Sequence, residues 1–122
     1  MPMNDGRVLN PVEIEQGIVA AAEEVARSVQ IVSDRLEAYR EAEHLFDLKW
    51  AGEYMRATGP VEERKQTCVL KTEVERKAMD VAEVAFKYAD RKCKAAEARL
   101  SAYQTLSRSI TAMYKTAGVG EY

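Results

Sequence analysis

The chain has 122 residues, 31% of them charged and 47% apolar, with three prolines, six glycines and a formal net charge of −2. This is about one domain's length, with a composition that excludes a disordered, collagen-like or disulfide-framework protein. No run approaches the roughly 18 apolar residues of a membrane span, and MPMNDGRVLN lacks the basic start and apolar core of a secretory leader, so a cytosolic protein without membrane contact is expected.

The first predicted element opens at Leu9-Asn10-Pro11-Val12-Glu13-Ile14. Asn10 suits the N-cap and Pro11 the first helical position. Glu13 is placed to reach back in a capping box, and Leu9 with Ile14 has hydrophobic-staple spacing. Downstream, Ile18, Ala22, Val25, Val29, Val32, Leu36 and Tyr39 alternate four and three apart, and the phase resumes at Phe46 and Trp50. That spacing predicts a coiled-coil seam on a helix over about residues 11–57. Leu45, Leu48 and Met55, with Gly52 between them, form a second stripe elsewhere on the circumference, so one neighbouring helix cannot cover this stretch.

Gly59-Pro60 predicts a turn over residues 58–60. Pro60 disfavours helix at Gly59, and glycine suits a left-handed helix end. Glu62 and Glu63 suit the first turn of a new helix. That helix is expected over about 61–117, with a seam of Val74, Ala78, Ala82, Ala85, Ala89, Cys93, Ala96, Leu100, Tyr103, Leu106, Ile110 and Met113, and Gly118 as its C-terminal cap. Val81, Val84 and Tyr88 make a second stripe on it. Cys68 and Cys93 lie 25 residues apart in this segment, about 37 Å along a helix at 1.5 Å per residue, too far to bridge within one chain. They read as reduced core thiols, with an intersubunit disulfide as the alternative.

Charge supports a reversal at Gly59. Residues 11–57 carry five Lys/Arg against ten Asp/Glu, a net −5; residues 60–117 carry twelve against eight, a net +4. After a reversal, residues whose numbers sum to about 118 lie side by side. Glu53 then meets Lys65, Asp47 meets Lys71, Glu41 and Glu43 meet Arg76 and Lys77, Asp34 meets Lys87, and Glu23 and Glu24 meet Lys94. Such pairs contribute about 0.2–1 kcal/mol each and act mainly by selecting the partner helix. The expected fold is all-α: one domain over 1–122, a long antiparallel αα-hairpin of coiled-coil type, flexible at its termini and pairing into a four-helix assembly.

Catalytic constellations are sparse. Glu41-Ala42-Glu43-His44 has the Glu-x-x-His spacing of di-iron bundles, and the expected register brings Glu73 and Glu75 to the same height, so a metal-binding helical dimer is an alternative. Its competing explanation is an ordinary solvated histidine on an acidic helix. With one histidine, no Gly-x-Ser-x-Gly turn and no glycine-rich phosphate loop, hydrolase and nucleotide-binding chemistry have nothing to attach to, so no enzyme, catalytic residue or cofactor is expected. Lys87, Arg91, Lys94, Arg99, Arg108 and Lys115 are candidate nucleic-acid contacts, with Tyr103 and Tyr114 as stacking surfaces. The opposing observations are acids on the first helix and a pI near 5.5. Leu45, Leu48, Trp50, Met55, Val81, Val84 and Tyr88 are candidate contacts for a second copy or another protein.

The second segment resembles a set of small, largely uncharacterised helical proteins of double-stranded DNA bacteriophages, notably of actinobacteria. The resemblance covers residues 60–117 and is carried by Glu63-Arg64-Lys65, Asp80-Val81-Ala82-Glu83-Val84-Ala85, Tyr88-Ala89-Asp90-Arg91, Leu100-Ser101-Ala102-Tyr103-Gln104 and Ala112-Met113-Tyr114. It implies a non-enzymatic phage accessory factor in DNA recombination or replication, acting in the host bacterial cytoplasm, with no histidine required at His44. Its implied partners are itself, a phage or host protein, or nucleic acid. A phage inhibitor that disables a host protein is the alternative.

Overall fold

The structure, a computed structural model, describes residues 10–120, with side chains to residue 117. Among the described residues it is all-α, with three helices and no strand: α1 (Pro11–Arg56), α2 (Val61–Lys71) and α3 (Glu73–Gly120). The polar segment through Leu9, including the staple assigned to Leu9, lies outside the described residues. At the other end the helix does not stop at Gly118 but continues to Gly120.

The start of α1 follows from short-range hydrogen bonding. The Glu13 amide donates to Asn10 Oδ1 at 2.8 Å, and the Asn10 amide donates to Glu13 Oε2 at 3.3 Å, closing the expected capping box. Ile14, in the next position, is 1% exposed. At the other end of α1, Gly59 has φ +99°, the conformation for which glycine is suited. Its carbonyl accepts a hydrogen bond from Arg64 Nε at 2.8 Å. Arg64 also lies over the Tyr54 ring, 5.9 Å from its centroid, and Lys65 is 3.8 Å from Glu62 in its own helix.

The second helical segment is divided where the sequence suggested one helix. Thr72 leaves helical geometry at φ −112° and ψ 16°; its Oγ1 and its amide both donate to the Cys68 carbonyl, at 2.6 and 3.0 Å. A threonine hydroxyl that bonds back four residues competes with the helical ladder and bends it. Thr72 is also 1% exposed, so the break sits in the interior.

Contacts divide the chain into two compact units. Among the described residues, 10–28 with 92–120 form one, and 29–91 form the other. In unit 1 the inward positions of α1 are Ile14, Ile18, Ala21, Val25 and Ser28, and those of α3 are Cys93, Ala96, Leu100, Tyr103, Ser107 and Ile110. The packing is close because small groups face large ones: a Cβ added at Gly17 would lie 2.5 Å from Tyr103 Cε1. Glu24 accepts from Arg99 at 2.6 Å.

In unit 2 the inward positions are Val32, Leu36, Tyr39, Glu43, Phe46, Trp50 and Glu53 of α1, then Cys68 of α2, Thr72, and Glu75, Met79, Ala82, Phe86 and Ala89 of α3. Tyr39 stacks on Phe86 at 6.2 Å between centroids and donates its hydroxyl to Glu83 at 3.1 Å. The Cys68 thiol points to the Trp50 carbonyl at 3.9 Å. Glu53, 8% exposed, gathers Arg56 at 2.9 Å, Lys49 at 3.5 Å and Lys71 at 3.9 Å.

Two sequence expectations are corrected here. The inward frame runs through Ala21 and Ser28 in place of Ala22 and Val29, and Val29 is 53% exposed. Likewise Val74, Ala78, Leu106 and Met113 face outward, their places taken by Thr72, Glu75, Met79 and Ser107. The charge register also differs. Glu53 meets Lys71 and not Lys65, Glu24 meets Arg99 and not Lys94, and Lys87 pairs with Glu83 of its own helix at 3.7 Å. Register follows the side chains that fill the interior, such as Tyr39 on Phe86, and flexible surface cations adapt to it.

Candidate functional site

The candidate nucleic-acid residues fall in both units. In unit 2, Lys87 is bound to Glu83, while Arg91 is exposed. In unit 1, Arg99 is bound to Glu24, and Lys94, Arg108 and Lys115 are exposed. The last three lie on one stripe of α3, because 94, 101, 108 and 115 are separated by seven residues, with Ser101 in the gap. Tyr114 is 63% exposed, but the Tyr103 ring is committed to Gly17 and is half-buried. Lys87 and Arg99 therefore already hold carboxylates, and one of the two proposed stacking surfaces is part of the interior.

The Glu-x-x-His motif lies on α1 with Glu41 and His44 exposed and Glu43 half-buried. Glu73 is turned to Lys77 at 3.1 Å. Among the described residues no group of three or more His, Cys, Asp and Glu is placed to hold a metal ion. Both cysteines are free thiols, and both are buried. Two groups have shifted protonation. The hydrogen bond to Glu83, then burial, then the Glu83 charge push the Tyr39 hydroxyl above its ordinary value of 10.0. For Glu53 the Arg56 hydrogen bond outweighs burial and holds the carboxyl below its ordinary 4.5. The Tyr39 contact joins α1 to α3, whereas the Glu53 shift arises within α1, from Arg56 and Lys49.

Unit 1 has an open cleft of about 540 Å³ lined by Pro11, Ile14 and Glu15 of α1 and by Ser107, Ile110, Thr111, Tyr114 and Lys115 of α3.

The most prominent surface feature is apolar and belongs to unit 2. Leu45 is 51% exposed, Leu48 58%, Met55 86%, Val81 70%, Val84 67% and Tyr88 63%. Ile31 and Val74 join them at 49% and 75%. Trp50, grouped with this set from sequence, is instead an inward, half-buried residue tilted against Phe46 at 6.1 Å. Val74 was missed because it was assigned to the seam; the signal that would have moved it outward is the seven-residue spacing Val74, Val81, Tyr88.

Comparison with protein-family models, with curated proteins and with solved structures finds no match to this chain. Among the described residues no helix is long and apolar enough to cross a membrane.

Proposed function

We propose that this protein is a non-enzymatic antiparallel helical hairpin that works by binding and associates with itself through unit 2. The observation that carries this is the group of eight large apolar side chains exposed along α1 and α3 of unit 2, among twelve exposed in that unit, because large apolar groups left in water mark an interaction surface. The order of contacts supports the hairpin: Trp50 meets Cys68, Glu53 meets Lys71 and Tyr39 meets Phe86, so earlier residues of α1 pair with later residues of the second segment. The three- and four-residue steps of the inward positions support coiled-coil packing. The resemblance of residues 60–117 to small helical phage proteins implies an accessory role in phage DNA recombination or replication. Inhibition of a host protein through the same surface is the alternative.

A direct nucleic-acid contact is a second reading, favoured by the exposed stripe Lys94, Arg108 and Lys115. Light scattering on the full chain at micromolar concentration tests self-association, and a clean monomer refutes it. Titration of a fluorescent oligonucleotide tests the second reading: binding must weaken steeply with salt and be reduced by Arg108→Glu with Lys115→Glu. Absence of binding at low salt removes it.

A further inference from the structure

Unit 2 has two unlike broad faces. Leu36, Glu43 and Trp50 are inward positions of α1, and two residues beyond each lie Ala38, Leu45 and Gly52. Thr72, Met79 and Phe86 are inward positions in the second segment, and two residues beyond each lie Val74, Val81 and Tyr88. Two helices that run in opposite directions are related by a two-fold axis normal to their common broad face, so the same offset puts both stripes on the same face. The Tyr39–Phe86 stack fixes the heights. Counting from it in sevens and allowing one residue for the offset puts Gly52 level with Val74, Leu45 level with Val81 and Ala38 level with Tyr88. One residue beyond each inward position is Glu37, His44 and Ala51 on α1, and Glu73, Asp80 and Lys87 on the second segment, which gives the opposite face its polar character. At the turn end of the apolar face, Lys49, Arg56 and Lys71 share the single carboxylate of Glu53.

We infer that the apolar face of unit 2 is covered by the same face of a second copy, turned about the hairpin's long axis so that α1 of one chain lies on α3 of the other and both turns are at the same end. The inference rests on the reading of this chain as a self-associating binder and assigns its geometry. Three observations carry it. First, the rows are complementary in size only in this orientation: Gly52 meets the partner's Val74, Ala38 meets the partner's Tyr88 and Leu45 meets the partner's Val81. With the hairpins end over end, Val74 instead faces the partner's Tyr88 while Gly52 faces the partner's Ala38, large on large and small on small. Second, charge on the outer edges agrees at one height. Asp34 on α1 and Arg91 on α3 are at matching heights by the same count, so stacking α1 on the partner's α3 sets this acid against this base, while Glu41 is level with Val84 and Lys77, held by Glu73, is level with Leu48. Third, the face leaves Ile31, Leu45, Val74, Val81 and Tyr88 from 49% to 75% exposed, with Leu48, Met55 and Val84 exposed in its outer rows.

The test uses two variants of the full chain, Leu45→Cys and Val81→Cys, each with Cys68 and Cys93 also replaced by Ala so that the introduced thiol is the only one. Under mild oxidation the mixture is expected to form a disulfide heterodimer, while Leu45→Cys alone stays uncrosslinked. A Leu45→Cys homodimer overturns this orientation but leaves self-association intact. Monomeric wild-type protein by light scattering overturns the inference together with the self-association it rests on. A complex with DNA or with another protein, formed by a chain that does not pair with itself, also overturns it. Leu45→Glu is expected to raise the dimer dissociation constant about 100-fold with helicity retained by circular dichroism. A dimer of unchanged affinity refutes the face.

Discussion

Gly17→Ala opposes two effects whose sizes decide its sign. In a helix interior alanine is favoured over glycine by about 1 kcal/mol, so at an open position the change stabilises. Gly17 is not open. A Cβ there would lie 2.5, 2.7 and 2.9 Å from Cε1, Cζ and Cδ1 of Tyr103, where ordinary contact is 3.4 to 4 Å. The Tyr103 ring must retreat by about 1 Å, and overpacking of this kind costs roughly 2–3 kcal/mol once neighbouring contacts are strained or lost. The net expectation is a loss of about 1–2 kcal/mol, or roughly 4–8 °C in Tm for a chain of this size. Thermal and urea denaturation followed at 222 nm measure it. In a Tyr103→Ala background the steric term disappears, so the same Gly17→Ala change should stabilise by about 1 kcal/mol. If Gly17→Ala stabilises the wild-type chain as much as it does the Tyr103→Ala variant, the close approach of the two helices in unit 1 is refuted.

Three further outcomes are expected. Gly59→Val places a β-branched residue at φ +99° and costs about 1–2 kcal/mol, mostly from the backbone because its nearest contact is the movable Glu63 carboxylate at 2.8 Å; an unchanged Tm refutes this turn. For Glu53 the folded-state pKa is lowered, so below its ordinary 4.5 the unfolded chain binds more protons and stability falls as pH drops through the folded value. Glu53→Gln should remove that part of the acid slope in a urea-denaturation series, and an unchanged slope sinks the assignment. For Tyr39 the folded-state pKa is raised, so its contribution is full below 10.0 and is lost as pH rises through the folded value. Tyr39→Phe should remove that alkaline loss, and tyrosine absorbance near 295 nm should lose its latest-titrating component; if the latest component persists, the Glu83 contact is not its cause.

What could be read from sequence here is what depends on neighbours three or four residues away. Asn10 and Glu13 satisfy one another's amides within a single turn, and Gly59 needs only its own backbone, so both signals survived into the structure. The inward frame is decided across helices, and there apolarity misleads. Val29 outranks Ser28 in hydrophobicity, but Ser28 fits the steps that continue Ala21 and Val25 in unit 1. The same holds in unit 2, where Val74 looked like core and Thr72 took the interior position by supplying its own acceptor, the Cys68 carbonyl, for its hydroxyl. Once Thr72, Met79 and Phe86 are known to face inward, Val74, Val81 and Tyr88 fall on one flank, and Trp50 leaves the surface set while Val74 enters it. The second stripes are thus exposed as the sequence suggested, and the seam of the second segment is what was read out of phase, at Val74 and Ala78. A change of one residue in the frame moves a side chain about 100° around a helix, enough to turn a core position into a binding position. Locating the surface of an all-α chain consequently requires its polar interior residues to be found first, and here these include Ser28, Glu43, Glu53, Thr72, Glu75 and Ser107.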